Sequence, residues 1–435
     1  MKFKYLCQAA LLLLFCGLST ATLSAQNNTS TYIKAGQVFN SEKAQLIGPQ
    51  ILKIDRNRIT EMAPDLKIPA DAKVIDLTDF TVLPGLIDGH THLMTLETIG
   101  EDNSTTNKIM YEGDALRVLR GAKRAKSFLE NGFTSIRDLG DSGEFLDVAL
   151  KRAINEGTTD GPRMFVSGPI ISAEGGQVVG MLKKHRHVID EEYTIIKSVD
   201  EAIDAVRQHV TYGADLIKIC ANNTPNPISL TIEEMQAIVK MAHRYNRIVT
   251  AHATNDKAVW EATTAGVDGI EHGYQISDTT LQLMAEKGTV LVPTDISKDE
   301  FLFFLEKNDF QGDKEKAYNN YQSGMADRLM RAIKAGVTIV TGSDNYINFE
   351  KPQGDAAKEI LIAYLEAGMK PMDILQSSTY LSAKFMGMEK RLGVLKAGAL
   401  ADIIAVKGDI ENDFAETIFN IGFVMKNGTI YVEKN

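Results

Sequence analysis

Residues 83–93 read Leu-Pro-Gly-Leu-Ile-Asp-Gly-His-Thr-His-Leu. An apolar run stops on Asp88-Gly89 and then presents two histidines one residue apart. In a β-strand, side chains at i and i+2 share a face. His90 and His92 would therefore leave such a strand side by side, with their imidazoles converging on one point. That is the geometry of a metal-ligand pair. Alone it is weak evidence, because short exposed loops contain His-x-His by chance. Its meaning depends on what the rest of the chain supplies.

Downstream, residues 130–345 alternate short β-branched runs with longer helical stretches. Candidate strands are Thr134–Arg137, Met164–Val166, Leu216–Ile219, Ile248–Ala251, Gly269–Glu271, Val290–Val292 and Thr338–Thr341, which with the run ending at Asp88 make eight. Amphipathic stretches such as Thr231–Tyr245 and Ala326–Ala335 lie between them, the latter stopped by Gly336. Nearly all-apolar strands alternating with helices imply a parallel sheet buried on both faces. The economical fold is α/β, a (β/α)8 TIM-type barrel over residues 83–391, with a doubly wound open sheet as the alternative. Residues 26–82 and 392–435 read instead as short alternating strands with turn residues. Both look antiparallel, and together they predict one small β-sandwich built from both termini.

Residues 1–25 read as a secretory signal peptide: Lys2 and Lys4, the run Ala9–Phe15, then Leu23-Ser24-Ala25 as a small-residue cleavage site. An uncleaved anchor is the alternative, but the apolar core is short for a bilayer span. A secreted, periplasmic protein is therefore expected, with no stable membrane insertion after cleavage. The formal charge is −10, and losing the two leader lysines takes it to −12. That acidity disfavours nucleic acid and anionic lipid as partners. Of three cysteines, Cys7 and Cys16 would leave with the leader, and Cys220 alone makes no intrachain disulfide.

In such a barrel the C-terminal ends of the strands share one mouth. Reading those ends gives His90 and His92, Lys218, His252, His272 and Asp344, so four of the chain's eight histidines stand there. Lys218 lies in Leu216-Ile217-Lys218-Ile219-Cys220, where a charged amine is expensive to bury. A neutral amine can add carbon dioxide, and the resulting carbamate can bridge two cations. His90, His92 and Asp344 would hold one metal, His252 and His272 the second, and carboxylated Lys218 would join both. Nitrogen and oxygen ligands suit two divalent ions, Zn²⁺ best. Such a pair would sharpen a shared hydroxide, with Asp344 taking and returning its proton.

Singly, His252 and His272 would read as satisfied core residues, Lys218 as a rim lysine and Asp344 as a helix cap; together they favour the metal site. Arg137 is a candidate for a substrate carboxylate, and Tyr274 could reach the site. Cys220 reads as a small core residue, His185 and His187 as a solvated basic loop, and His209 and His243 as surface residues.

The combination Pro84–His92, Ile217-Lys218-Ile219, Ala251-His252-Ala253, Ile270–Gly273, Gly342-Ser343-Asp344 and Gly398–Ile403 resembles the amidohydrolase superfamily. Gly132–Asp138 and Gly161-Pro162-Arg163 are similar to its imidazolonepropionase-like branch, which includes binuclear Xaa-Pro dipeptidases and amidases such as ochratoxin hydrolases. The resemblance implies a (β/α)8 barrel, two metals bridged by carboxylated lysine, and amide hydrolysis. Relatives often carry Gly-Gly-His-Gly after the third strand, whereas this chain has Gly175-Gly176-Gln177-Val178. Gln177 can hydrogen-bond a substrate but cannot carry a proton. The expected function is a binuclear amidohydrolase of dipeptidase, carboxypeptidase or N-acyl amino acid hydrolase type, acting on a small peptide-like substrate. A mononuclear deaminase or cyclic-amide hydrolase on the same barrel is one alternative, a non-catalytic metal-containing binding protein another; a homo-oligomer is compatible with each.

Overall fold

Strand burial changes character along the first third of the chain in a computed structural model that describes residues 30–100, 107 and 110–434. The expected signal peptide at 1–25 lies outside the described residues. Strands β1 (Thr31–Asn40), β2 (Gln45–Ile47), β3 (Gln50–Asp55), β4 (Arg58–Ala63) and β5 (Lys73–Pro84) open the fold. In the first half of β5, Ile75 and Leu77 are buried while Val74, Asp76 and Thr78 are exposed; from Thr81 to Pro84 every residue is buried. The strand thus leaves a sheet with one wet face and enters the interior.

The chain closes with β15 (Ile403–Val406), β16 (Ile421–Lys426) and β17 (Thr429–Glu433). These join the first five in a single eight-stranded sheet of order β17-β16-β15-β5-β1-β3-β4, with β2 on β1. Strands from both ends surround one apolar cluster, including Ile33, Leu52, Ile75, Ile403 and Phe423. The expectation of purely antiparallel flanks needs correction. β1 and β5 pair in parallel, Thr31 opposite Lys73 through Val38 opposite Val82. After the β3–β4 hairpin the chain crosses back and enters β5 in the direction of β1.

The interior strands form two parallel sheets. One has the order β6-β7-β8 (Leu86–Thr91, Phe133–Asp138, Arg163–Val166). The other runs β10-β9-β11-β12-β13-β14, comprising β9 (Ile170–Ser172), β10 (Tyr193–Ile195), β11 (Ile217–Cys220), β12 (Val249–Ala253), β13 (Gly269–His272) and β14 (Val290–Val292). Helices pack outside them, entered by side-chain caps at Ser198, Thr231, Asn255 and Ser277 and left through left-handed Gly213, Gly266 and Gly288. Their apolar faces and the strands share one large core.

Two features depart from the sequence reading. The short β9 and β10 were not anticipated, each being three residues long. Thr338–Thr341 makes an isolated parallel bridge, Ile339 to Leu291, rather than a regular strand. This segment is nonetheless joined to the opposite sheet, since the Gly89 N–H donates to Thr341 O at 2.8 Å. A Cβ on residue 89 would stand 2.6 Å from that oxygen, which explains the glycine. Asp88 completes the seam, its Oδ1 accepting from His90 N at 3.0 Å and Ser343 N at 2.9 Å. The apolar run ends on Asp-Gly because these two residues align the first strand with Gly342-Ser343-Asp344.

Candidate active site

His90 and His92 turn their Nε2 atoms toward each other, 3.1 Å apart. Asp344 Oδ1 lies 3.5 Å from the first and 3.1 Å from the second. Among the described residues these three form the cluster whose donor atoms are mutually close enough to share a cation. The other ring nitrogens are already committed: His90 Nδ1 to Glu271 Oε2 at 2.8 Å and His92 Nδ1 to Gly140 O at 2.9 Å. With their protons on Nδ1, both imidazoles direct Nε2 lone pairs at one point beside a carboxylate. Opposed lone pairs repel unless a cation or proton lies between them, so the donor set fits a metal ion.

His272 lies against both neighbours, its ring centroid 5.3 Å from His90 and 4.5 Å from His252. Its Nδ1 contacts Thr294 Oγ1 at 2.8 Å and stands 3.7 Å from Asp344 Oδ2. His272, Thr294 and Asp344 all have positive φ, at 73°, 54° and 51°. Such backbone costs of order 1–3 kcal/mol per residue, and it sits where the three side chains are aimed into one space. Arg328 helps to hold it, donating to His272 O at 2.8 Å while pairing with Asp295.

Lys218 is 2% exposed on β11. Burial pushes its ammonium below the usual lysine range. Burial, followed by the charge of Lys218, holds His90 at about 4 and His252 at about 3. Burial also opposes charge on His92, but the carboxylates of Asp344 and Asp141 lift it to about 9. Asp344 stays ionised, since His90 and His92 outweigh its desolvation.

All six of these residues line one cavity of about 530 Å³. Gln177 and Tyr274 line it too, with Gln177 Nε2 3.4 Å from His252 Nε2 and Tyr274 Oη 3.4 Å from His272 Nδ1. Sequence reasoning missed Asp141, Glu192, Tyr193 and Tyr346, which also line it. Asp141 and Tyr346 closely follow motif residues, but nothing in sequence ties Glu192 or Tyr193 to the mouth.

Arg137 is placed otherwise than expected. It is 1% exposed and does not line the cavity. Its Nη2 donates to Glu271 Oε1 at 2.8 Å and its Nε to Gly89 O at 2.6 Å, with the guanidinium 4.5 Å from the Phe385 ring. A carboxylate partner inside the fold has taken the place assigned to a substrate. His209, expected at the surface, is fully buried between Ala205 O and Pro169 O. His185 and His187 are in short helical turns rather than a loop, and His243 is exposed. Cys220 is a buried free thiol.

The model of the Amidohydrolase family matches residues 81–431. The chain is 31% identical over 352 residues to an ochratoxinase of Aspergillus niger, covering 75% of this chain and 70% of that protein. A crystal structure of a Xaa-Pro dipeptidase with bound methionine superposes with a TM-score of 0.80 at 30% identity, covering 93% of this chain and all of the other. A prolidase complexed with N-methylphosphonate-L-proline gives 0.81 at 26% identity with the same coverage.

Proposed function

The chain belongs to the amidohydrolase family and is a hydrolase of carbon–nitrogen bonds, and from that premise we propose that it is a binuclear metal enzyme cleaving an amide or peptide bond of a small substrate. One observation carries this reading: four imidazoles, Lys218 and Asp344 face a single cavity. His90, His92 and Asp344 would hold one cation, His252 and His272 the other, and carboxylated Lys218 would bridge them. When bound, two divalent ions, most suitably zinc, supply an activated water and an electrophile for the carbonyl oxygen. Asp344 takes the proton released in the attack and delivers it to the leaving nitrogen. Gln177 and Tyr274 contact the substrate.

We propose that β6, β7, β8 with β9 as one interrupted strand, β11, β12, β13, β14 and Thr338–Thr341 close into an eight-membered barrel, with β10 outside it. Support comes from the Leu291–Ile339 bridge on one side and the Gly89–Thr341 hydrogen bond on the other. Substrate class follows the relatives, an ochratoxinase and dipeptidases: a dipeptide or N-acyl amino acid. We further propose export to the periplasm through residues 1–25.

The deciding experiment is a panel of dipeptides and N-acyl amino acids, assayed with zinc or cobalt and bicarbonate. Metal-dependent release of an amino acid is expected. Failure to hydrolyse any member while binding two metals would favour the non-catalytic reading.

A further inference from the structure

The loop that follows β7, Gly140-Asp141-Ser142-Gly143, turns one carboxylate into the cavity and is anchored along its backbone. His92 Nδ1 donates to Gly140 O at 2.9 Å. Arg117 Nη2 donates to Asp141 O at 2.9 Å, and Gly143 N to Glu192 Oε2 at 2.9 Å. Gly140 takes φ +107°, and a Cβ there would stand 2.3 Å from Ile170 Cγ1, so the loop lies directly on that side chain. Asp141 itself has φ 51°, a left-handed backbone that Asp tolerates better than most residues.

The charges around this loop do not balance. Arg117 is buried, and its Nη1 pairs with Glu192 Oε1 at 2.6 Å. That guanidinium is thereby taken up by one carboxylate and one peptide oxygen. The Asp141 carboxylate is left over. Its Oδ2 is 3.6 Å from His92 Nδ1, too far for a hydrogen bond, and the N–H there already belongs to Gly140 O. It stays with Gly140 O when Nε2 serves as a metal ligand. Among the described residues no arginine lines the cavity, and no lysine besides Lys218, which is assigned to the metals. A carboxylate with no cationic partner on the wall of a binding cavity is complementary to a positive group on the ligand.

Resting on the amidohydrolase reading above, we propose that Asp141 is a specificity residue that receives the free ammonium of the substrate's amino-terminal residue, so that the enzyme takes unblocked aminoacyl amides in preference to N-acyl amino acids. The amine of such a residue stands one carbon beyond the carbonyl under attack. The ring of His92 alone separates Asp141, on its Nδ1 side, from Asp344 on its Nε2 side. Ile170 meets the loop beside Asp141, and Val178, Val188 and Ile189 line the same cavity, giving the residue's side chain an apolar wall.

The test compares leucyl-alanine with 4-methylpentanoyl-alanine, which differ only in the amine. Leucine matches the apolar wall, and near pH 7 the amine is largely protonated. On the metal-loaded wild type, kcat/KM should favour leucyl-alanine at least about tenfold, and Asp141→Asn should lower that ratio at least about tenfold. A wild type without the preference overturns the proposal. So do equal losses on both compounds, which would mean that Asp141 only supports His92. Melting temperature and metal content are measured alongside, and should Asp141→Asn not fold, Asp141→Ser is put to the same comparison. If neither compound is hydrolysed, the function reading fails, and calorimetry with L-leucinamide and 4-methylpentanamide decides the role of Asp141. Leucinamide should bind the wild type at least about tenfold more tightly, a margin lost in Asp141→Asn. Equal affinities in the wild type, or a margin kept in the variant, overturn the assignment.

Discussion

Glu271 divides its two oxygens between Arg137 and His90, accepting from Arg137 Nη2 at 2.8 Å through Oε1 and facing His90 Nδ1 at 2.8 Å through Oε2. All three side chains are sealed from solvent. Thr250 Oγ1 adds a further hydrogen bond to Oε1. The carboxylate therefore fixes the tautomer of His90 while Arg137 balances its charge. Substituting Arg137 by Met should strand a buried anion and cost roughly 3–5 kcal/mol of stability, read by denaturant unfolding. Glu271→Gln is milder on the fold but should weaken metal affinity about 10- to 100-fold, read by competition with a chelator. An unaltered affinity would show that His90 needs no orienting partner.

Asp344 Oδ1 is 3.1 Å from His92 Nε2 and is proposed both as a metal ligand and as the proton shuttle. Asp344→Asn keeps the shape and removes both the charge and the basic site. Activity should drop by at least about a thousandfold, while metal content falls only in part. His90→Ala and His252→Ala should each lower the metal stoichiometry from two toward one. A wild type that retains a single metal after growth in excess zinc counts against the binuclear site.

Lys218 is surrounded by Ile217, Ile219 and Cys220 on a wholly buried strand. Lys218→Ala should abolish turnover and lose metal. Short-chain carboxylic acids should restore part of both by occupying the space of the carbamate. Full activity in Lys218→Ala would instead favour the mononuclear alternative.

Stripped of cations, the contributions of His90, His252 and His92 to stability should together be greatest near pH 6.5. They are set against buried Asp88, Asp147 and Asp138, whose raised values of about 7, 7 and 6 favour acid pH. His90 and His252 titrate at about 4 and about 3 in the fold, below the ordinary 6.5. Their burial as neutral rings contributes stability above 6.5, which is lost as pH falls from 6.5 through those values. His92, lifted to about 9, works in the other direction. Its stabilisation is complete below 6.5 and is lost as pH rises through 9. Thermal unfolding of the chelated wild type and of chelated His252→Gln across pH 4–9 isolates the His252 part: the difference in melting temperature should shift against the wild type as pH falls below 6.5. A difference that does not change with pH would contradict the neutral burial of His252.

What was legible in the amino-acid order was whatever a single strand can encode. Period two places His90 and His92 on one face, and an apolar strand broken by Lys218 announces a lysine with a task. Strand-end positions likewise marked His252, His272 and Asp344 without knowledge of their neighbours. Pairing across the fold was not legible. Arg137 could be read as facing a substrate because nothing local shows that Glu271, over a hundred residues away, occupies its guanidinium. Tyr193 and Glu192 reach the cavity through β10 and the turn before it, elements too short to carry a period. The parallel partnership of β1 and β5 likewise depends on a crossover that alternation of side chains does not specify. Hydrophobic pattern sets which face of an element is buried; which charge meets which is decided only when distant segments pack together.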